Sequence, residues 1–217
     1  MFWGRDVPPF PVVSQVKYLE SVATDMEYFS MFLDSLALPV VQELRIDMRQ
    51  GRLPRSSLIS LVSRSGCSLQ RLALTKCFCH AAELLALFLA IPSLAKLEVN
   101  DCPISGNVVL QLLDLSMNAS ATTLPNLQAL KLVDQRGTNL SDLANMVLSR
   151  WRHNQSSDSG NRVARLSSIT LVFDSCNADV SVLPPNADPE AIPLLRQLIA
   201  KGLEMSILNR HRDTFMW

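Results

Sequence analysis

Cys77-Phe78-Cys79-His80, with Cys67 ten residues upstream, is the densest group of side chains here that could do chemistry. Thiols and an imidazole so close in sequence suggest two kinds of site. A structural zinc needs four converging ligands, and C-x-C-H alone does not define such a set. A Cys-His nucleophile needs its reactive atoms face to face, an orienting third group and an oxyanion hole. Adjacency of Cys79 and His80 supplies none of these. His153 stands beside Arg152 near an expected helix end, and His211 lies near the C-terminal end of the chain. Asp34, Asp47, Asp101 and Asp174 form no spaced catalytic set. The seven glycines make neither G-x-G-x-x-G nor a Lys/Ser phosphate loop, and Trp3, Trp151 and Trp217 do not interleave with a basic stripe. No catalytic residue, cofactor or metal ligand is therefore expected, and a Cys/His-dependent hydrolase or metalloprotein is the remote alternative.

The elements that would carry these residues follow from a spacing pattern. Five segments read apolar-x-x-apolar-x-apolar: Val41-Leu44-Ile46, Leu69-Leu72-Leu74, Leu94-Leu97-Val99, Leu127-Leu130-Leu132 and Leu166-Ile169-Leu171. Their middle positions step by 28, 25, 33 and 39 residues, which suits one short strand, one helix and variable loops per unit. Within each segment the last two apolar positions alternate with polar or small residues, the period of a strand. Helices are expected over Ser57–Ser65, Ala81–Ile91, Gly106–Leu115, Ser141–Trp151 and Glu190–Lys201. Leu84, Leu85, Phe88 and Leu89 form the stripe of the second, Ser141 caps the fourth, and Pro193 falls early in the fifth. Strands separated by helices cannot be hairpin partners, so the expected sheet is parallel.

The ends are less regular. Val12 to Leu19 reads as an edge strand and Ala23 to Leu36 as a helix with a broad apolar side. Gly202 to Ile207 reads as a terminal strand. The expected division is a flexible segment over 1–11, one repeat domain over 12–207 and a C-terminal tail over 208–217. Asn154 to Asn161 and Asn177 to Pro189 are expected as surface loops.

Composition narrows the class. The chain has 217 residues, is 48% hydrophobic and carries no formal net charge, which argues against both disorder and a nucleic-acid surface. Lys131 to Leu171 is mildly basic, with six Arg or Lys against three Asp. The start has no continuous apolar core of a secretory signal, and the most apolar helix is too short to span a bilayer. Five cysteines, an odd number, fit a reducing compartment. An intracellular location, cytoplasm or nucleus, is expected without membrane contact. Asn118-Ala-Ser120, Asn139-Leu-Ser141 and Asn154-Gln-Ser156 match glycosylation acceptors but lack an export signal.

Two segments extend the spacing by one residue: Leu69-x-x-Leu72-x-Leu74-x-x-Cys77 and Leu94-x-x-Leu97-x-Val99-x-x-Cys102. This resembles the signature of the leucine-rich repeat family, L-x-x-L-x-L-x-x-N or C. The first, fourth and fifth segments depart from it with Arg49, Gln135 and Asp174. The resemblance implies an α/β fold, an irregular horseshoe or arc with a parallel sheet on one face and helices on the other. Its core would be Leu44, Ile46, Leu72, Leu74, Cys77, Leu97, Val99, Cys102, Leu130, Leu132, Ile169 and Leu171. Leu58 to Leu72, Leu124 to Leu130 and Ser149-Arg-Trp-Arg152 further resemble fungal F-box proteins whose C-terminal part carries such repeats. That resemblance implies substrate recognition for a ubiquitin ligase, with ligase association through a missing or separate domain. No F-box-like segment is found before residue 38, and a free-standing interaction scaffold unrelated to ubiquitin is the alternative.

If the leucines point inward, their neighbours face out. The candidate protein-binding surface is Glu43, Arg45, Asp47, Arg71, Thr75, Lys96, Glu98, Asn100, Lys131 and Thr170. The expected partner is an unidentified protein or peptide. A mixed-charge sheet face suits it better than a small molecule does.

Overall fold

Short strands and helices alternate along the chain because period-two apolar runs are separated by stretches of helical period. The structure, a computed structural model, describes residues 11–116, 122–134, 137–155, 163–173, 190–209 and 212–216. The strands are β1 (Val12–Val13), β2 (Tyr18–Val22), β3 (Leu36–Ala37), β4 (Glu43–Asp47), β5 (Arg71–Thr75), β6 (Lys96–Asn100), β7 (Ala129–Val133), β8 (Ser168–Phe173), β9 (Glu204–Asn209) and β10 (Arg212–Met216). The helices are α1 (Met26–Asp34), α2 (Arg55–Ser65), α3 (Ala81–Ala90), α4 (Gly106–Leu113), α5 (Leu140–Gln155) and α6 (Ala191–Ala200). Trp3, Gln135, Asp174, Cys176, His211, Trp217, the 118–120 acceptor and the loop over 177–189 lie outside the described residues.

The main sheet runs β2-β4-β5-β6-β7-β8-β9-β10, parallel throughout except for the last pair. Strand order therefore follows chain order without a reversal. With right-handed crossovers, the general rule, running in one direction, the described helices fall on the same side, unlike in a doubly wound sheet whose order reverses. Burial agrees: Leu44, Ile46, Leu72, Leu74, Leu97, Val99, Leu130, Leu132, Ile169 and Leu171 are all buried, in one core with the apolar faces of the helices. The residues between them on the strands are half-buried or exposed, apart from Val133 at the end of β7. Register makes this continuous, since Leu44, Leu72, Leu97, Leu130 and Ile169 pair strand by strand.

The backbone repeats at both ends of the strands. On entry, two successive N–H groups converge on one carbonyl of the preceding unit: Gln70 and Arg71 on Gln42, Ala95 and Lys96 on Gln70, Gln128 and Ala129 on Ala95. At the exit, Lys76, Asp101 and Asp134 adopt positive φ of 51°, 48° and 53°. This single left-handed residue interrupts the two-residue alternation, so the side chain after it turns inward again. Cys77 and Cys102 are buried for that reason. The first unit differs: positive φ comes at Arg49 and Gln50, and Met48 fills the inward place while Arg49 is exposed.

Several local expectations are corrected. The first strand of the main sheet is Tyr18–Val22, while Val12–Val13 pairs separately with Leu36–Ala37. Helix α1 starts at Met26 because Asp25 caps it, its carboxylate accepting the Glu27 and Tyr28 N–H groups at 2.8 and 3.2 Å. Its apolar side is narrower than expected, with Phe29 and Leu33 buried but Met26 and Phe32 exposed. In α3 the buried stripe is Leu84, Leu87 and Phe88, and Leu89 is exposed. Ser141 lies inside α5; Asn139 precedes it and its side chain accepts the Ser141 N–H at 2.9 Å. That helix also runs through Asn154 to Gln155, into the expected loop. Residues 212–216 pair antiparallel with β9, so a stretch of the expected tail is a strand. No described helix is long and apolar enough to cross a membrane.

Candidate functional site

The Cys/His group does not converge. His80 is exposed at the start of α3, where its backbone N–H donates to the Glu83 carboxylate at 2.9 Å. Arg52 holds the same carboxylate at 3.0 Å. The Cys77 thiol lies 3.2 Å from the Thr75 carbonyl and 3.8 Å from that of Ile46 on the preceding strand. Cys102 repeats the arrangement one unit on, 3.4 Å from the Asn100 carbonyl and 3.6 Å from that of Leu74. The contact with Cys102, reinforced by burial, pushes the Cys77 thiol far above its ordinary range, and burial pushes Cys79 up to about 12. The Cys77 and Cys79 thiols, raised in this way, are weak nucleophiles at neutral pH. Among the described residues no three His, Cys, Asp or Glu side chains are grouped to hold a metal.

Trp151 and Arg150 belong to the body of the protein, while His153 is exposed at its surface. Trp151 is buried, donates its indole N–H to the Leu166 carbonyl at 2.9 Å and is covered by the Arg165 guanidinium 3.8 Å from the ring centroid. Arg150 is fully buried; its guanidinium donates to the carbonyls of Leu113 (3.1 Å), Thr123 (3.2 Å) and Leu124. Burial lowers its pKa to about 10, still protonated at neutral pH. It joins the end of α4 to the turn that enters β7. His153 Nδ1 lies 2.8 Å from the Ser149 carbonyl one turn back.

Polar side chains converge instead on the helix-free face of the sheet. Strand register sets them in rows: Tyr18, Glu43, Arg71, Lys96, Ala129 and Ser168 at the entry side, then Glu20, Arg45, Ala73, Glu98, Lys131 and Thr170, then Val22, Asp47, Thr75 and Asn100 at the exit side. Neighbouring positions in a row stand about 4.8 Å apart. Glu43 binds Arg45 at 2.9 Å and Arg71 at 3.2 Å. Glu98 accepts from Lys131 at 2.7 Å and from the Asn100 amide at 3.0 Å. Desolvation works against the Glu98 carboxylate, yet the bonds from Lys131 and Asn100 outweigh it and hold its pKa below the ordinary value. Among the described residues Lys96 has no ion-pair partner.

Two hollows interrupt this face. The entry-side hollow, about 250 Å³, is bordered by Glu43, Arg45, Arg71, Lys96, Glu98, Lys131 and Thr170 over Ala73, Ala129 and Ser168. The exit-side hollow, about 120 Å³, is bordered by Glu20, Arg45, Asp47, Thr75, Glu98 and Asn100. All ten sequence-selected surface residues thus border one or the other. Sequence reasoning missed two contributions. Tyr18 and Glu20 join the face through β2, and the small side chains of Ala73 and Ala129 create the depth. A larger hollow of about 550 Å³ opens between α4 and α5, on the helix side.

No protein-family model matches this chain, and neither a curated protein nor a solved structure does.

Proposed function

We propose that the chain is a noncatalytic protein-binding scaffold of the leucine-rich-repeat kind, and that the helix-free sheet face is its docking surface. One observation carries this reading. Among the described residues, an in-register parallel sheet leaves one face without a covering helix and loads it with aligned charged and polar side chains around two hollows.

Packing supports the arc as well. Strands repeat every 4.7–4.9 Å, whereas packed helices stand roughly 8–10 Å apart. With helices on one side only, and each touching the next, the helix layer is the wider one. Such a sheet bends with its open face inward, giving the concave surface that suits a protein segment.

The mechanism of such a scaffold is reversible surface complementarity, with any transfer chemistry supplied by other proteins. The resemblance to fungal F-box proteins extends the proposal to substrate recognition for a ubiquitin ligase inside the cell, through a separate docking domain.

Photo-crosslinkers at Lys96 and Thr170, and at Ser60 and Ser63 on the exposed side of α2, test the surface in the source cell using the full native chain. The expected result is partner crosslinks from the sheet positions, lost in an Arg71→Glu/Lys96→Glu/Lys131→Glu variant that keeps its fold. Crosslinks from α2 alone, or undiminished affinity in the variant, would move the site elsewhere. Recovery of ligase adaptors separates the ligase role from a free-standing scaffold.

A further inference from the structure

The open face is electrically divided. Around the entry-side hollow stand four cations, Arg45, Arg71, Lys96 and Lys131, against two carboxylates, Glu43 and Glu98. Around the exit-side hollow the sign reverses, with Glu20, Asp47 and Glu98 against Arg45 alone. The whole chain has no formal net charge, so this separation is local.

The entry-side carboxylates are already occupied. Glu43 is taken by Arg45 and Arg71, and Glu98 by Lys131 and Asn100. Lys96 remains exposed, and its neighbour in the row on β7 is the small Ala129. An ammonium group beside an open hollow, with its nearest carboxylates engaged, suits an anionic group from outside.

The two rows that bound the divided region are represented on β5 by Arg71 and Thr75, four residues apart. That is about 13 Å along a strand, and between them the middle row carries both signs, Arg45 and Lys131 with Glu20 and Glu98. A ligand that reaches from the entry row to the exit row therefore leaves a net positive border for a net negative one. A uniform polyanion such as RNA would gain at one hollow and lose at the other. A protein segment can place a carboxylate over the first and none over the second.

We propose that the entry-side hollow receives an Asp or Glu side chain of an extended partner segment, with Lys96 as its ion-pair partner and Arg71 as a second donor. The proposal rests on the reading of this face as a docking surface and adds which side chain it selects. It carries a spacing rule: a second acidic residue four positions away, on the same side of the extended segment, falls on the exit row beside Asp47, where the border is net negative, and is repelled.

Selection of a random short-peptide library against the whole chain tests this, with amide chemical-shift mapping of each enriched peptide. The expected winners shift amides of β4 to β7, carry an acidic position and avoid acid four residues from it. Their affinity falls by about tenfold, or 1.4 kcal/mol, in Lys96→Glu and in Arg71→Glu, with unchanged thermal unfolding. Lys96→Gln weakens them less. Winners that map to this face without an acidic residue overturn the inference and leave the docking surface standing. Failure to enrich any peptide, or winners that map to the helix side, overturn both. Equal Lys96-dependent affinity for a short RNA homopolymer overturns the choice of a protein carboxylate.

Discussion

The Cys102 sulfur accepts the Cys77 backbone N–H at 3.4 Å, while its own thiol faces the Leu74 carbonyl at 3.6 Å. One cysteine thus ties together the exits of two neighbouring strands. Cys102→Ala leaves the buried Cys77 N–H without its acceptor. The expected loss is about 1–3 kcal/mol in urea unfolding. In the folded protein Cys77 and Cys102 should react with an alkylating reagent far more slowly than in urea, and more slowly than half-buried Cys67. Equal rates would refute the placement of both sulfurs.

Leu97 is buried between Leu72 and Leu130 in the sheet register. Leu97→Ala should destabilise the protein by roughly 2–5 kcal/mol through lost burial plus a cavity. A change near zero in chemical unfolding would count against its central position.

Arg150 answers three carbonyls from the interior of the protein. Arg150→Ala strands those acceptors and should cost at least about 3 kcal/mol. Arg150→Lys keeps the charge but not the planar fork, so it should recover only a fraction of the loss. Thermal unfolding ranks the three proteins; a lysine variant as stable as the parent would show that charge alone suffices.

Acid should weaken the fold through two carboxylates. The His80 backbone N–H, with Arg52, depresses the Glu83 pKa, and Lys131 and Asn100 depress that of Glu98 against the opposing effect of burial. A folded-state pKa below the unfolded one means stability is present above the unfolded value, about 4.3 for glutamate. It is then lost as pH falls through the folded value. Glu98→Gln should be less stable than the parent at neutral pH and should lose less on acidification. Parallel pH profiles for the two proteins would contradict this.

Much of the sheet was legible because Leu72-x-Leu74 and Leu97-x-Val99 write their orientation in a period of two. Strand β2 was not: in Tyr18-Leu19-Glu20-Ser21-Val22 the inward Ser21 breaks the apolar alternation, and Val12 and Val13 drew the expected strand too early. In α3 nearly every residue is apolar, so period could not tell Leu87 from Leu89. Asn139 and Ser141 are both good caps, and only the backbone decides between them. Arg150 was hidden by its charge, since an arginine in a helix ordinarily faces solvent. For the candidate site, alternation told which side each residue faces but not the relief. Depth comes from Ala73 and Ala129, whose smallness carries no motif.

Because strand order follows chain order, each unit touches mainly the one before and the one after. Tension applied at the two ends would therefore load the boundaries in series, so that they open in succession. Stretched in this way, the molecule should lengthen by peeling, in increments set by the 25 to 39 residues between successive central strands. Mechanically it is a strip rather than a block.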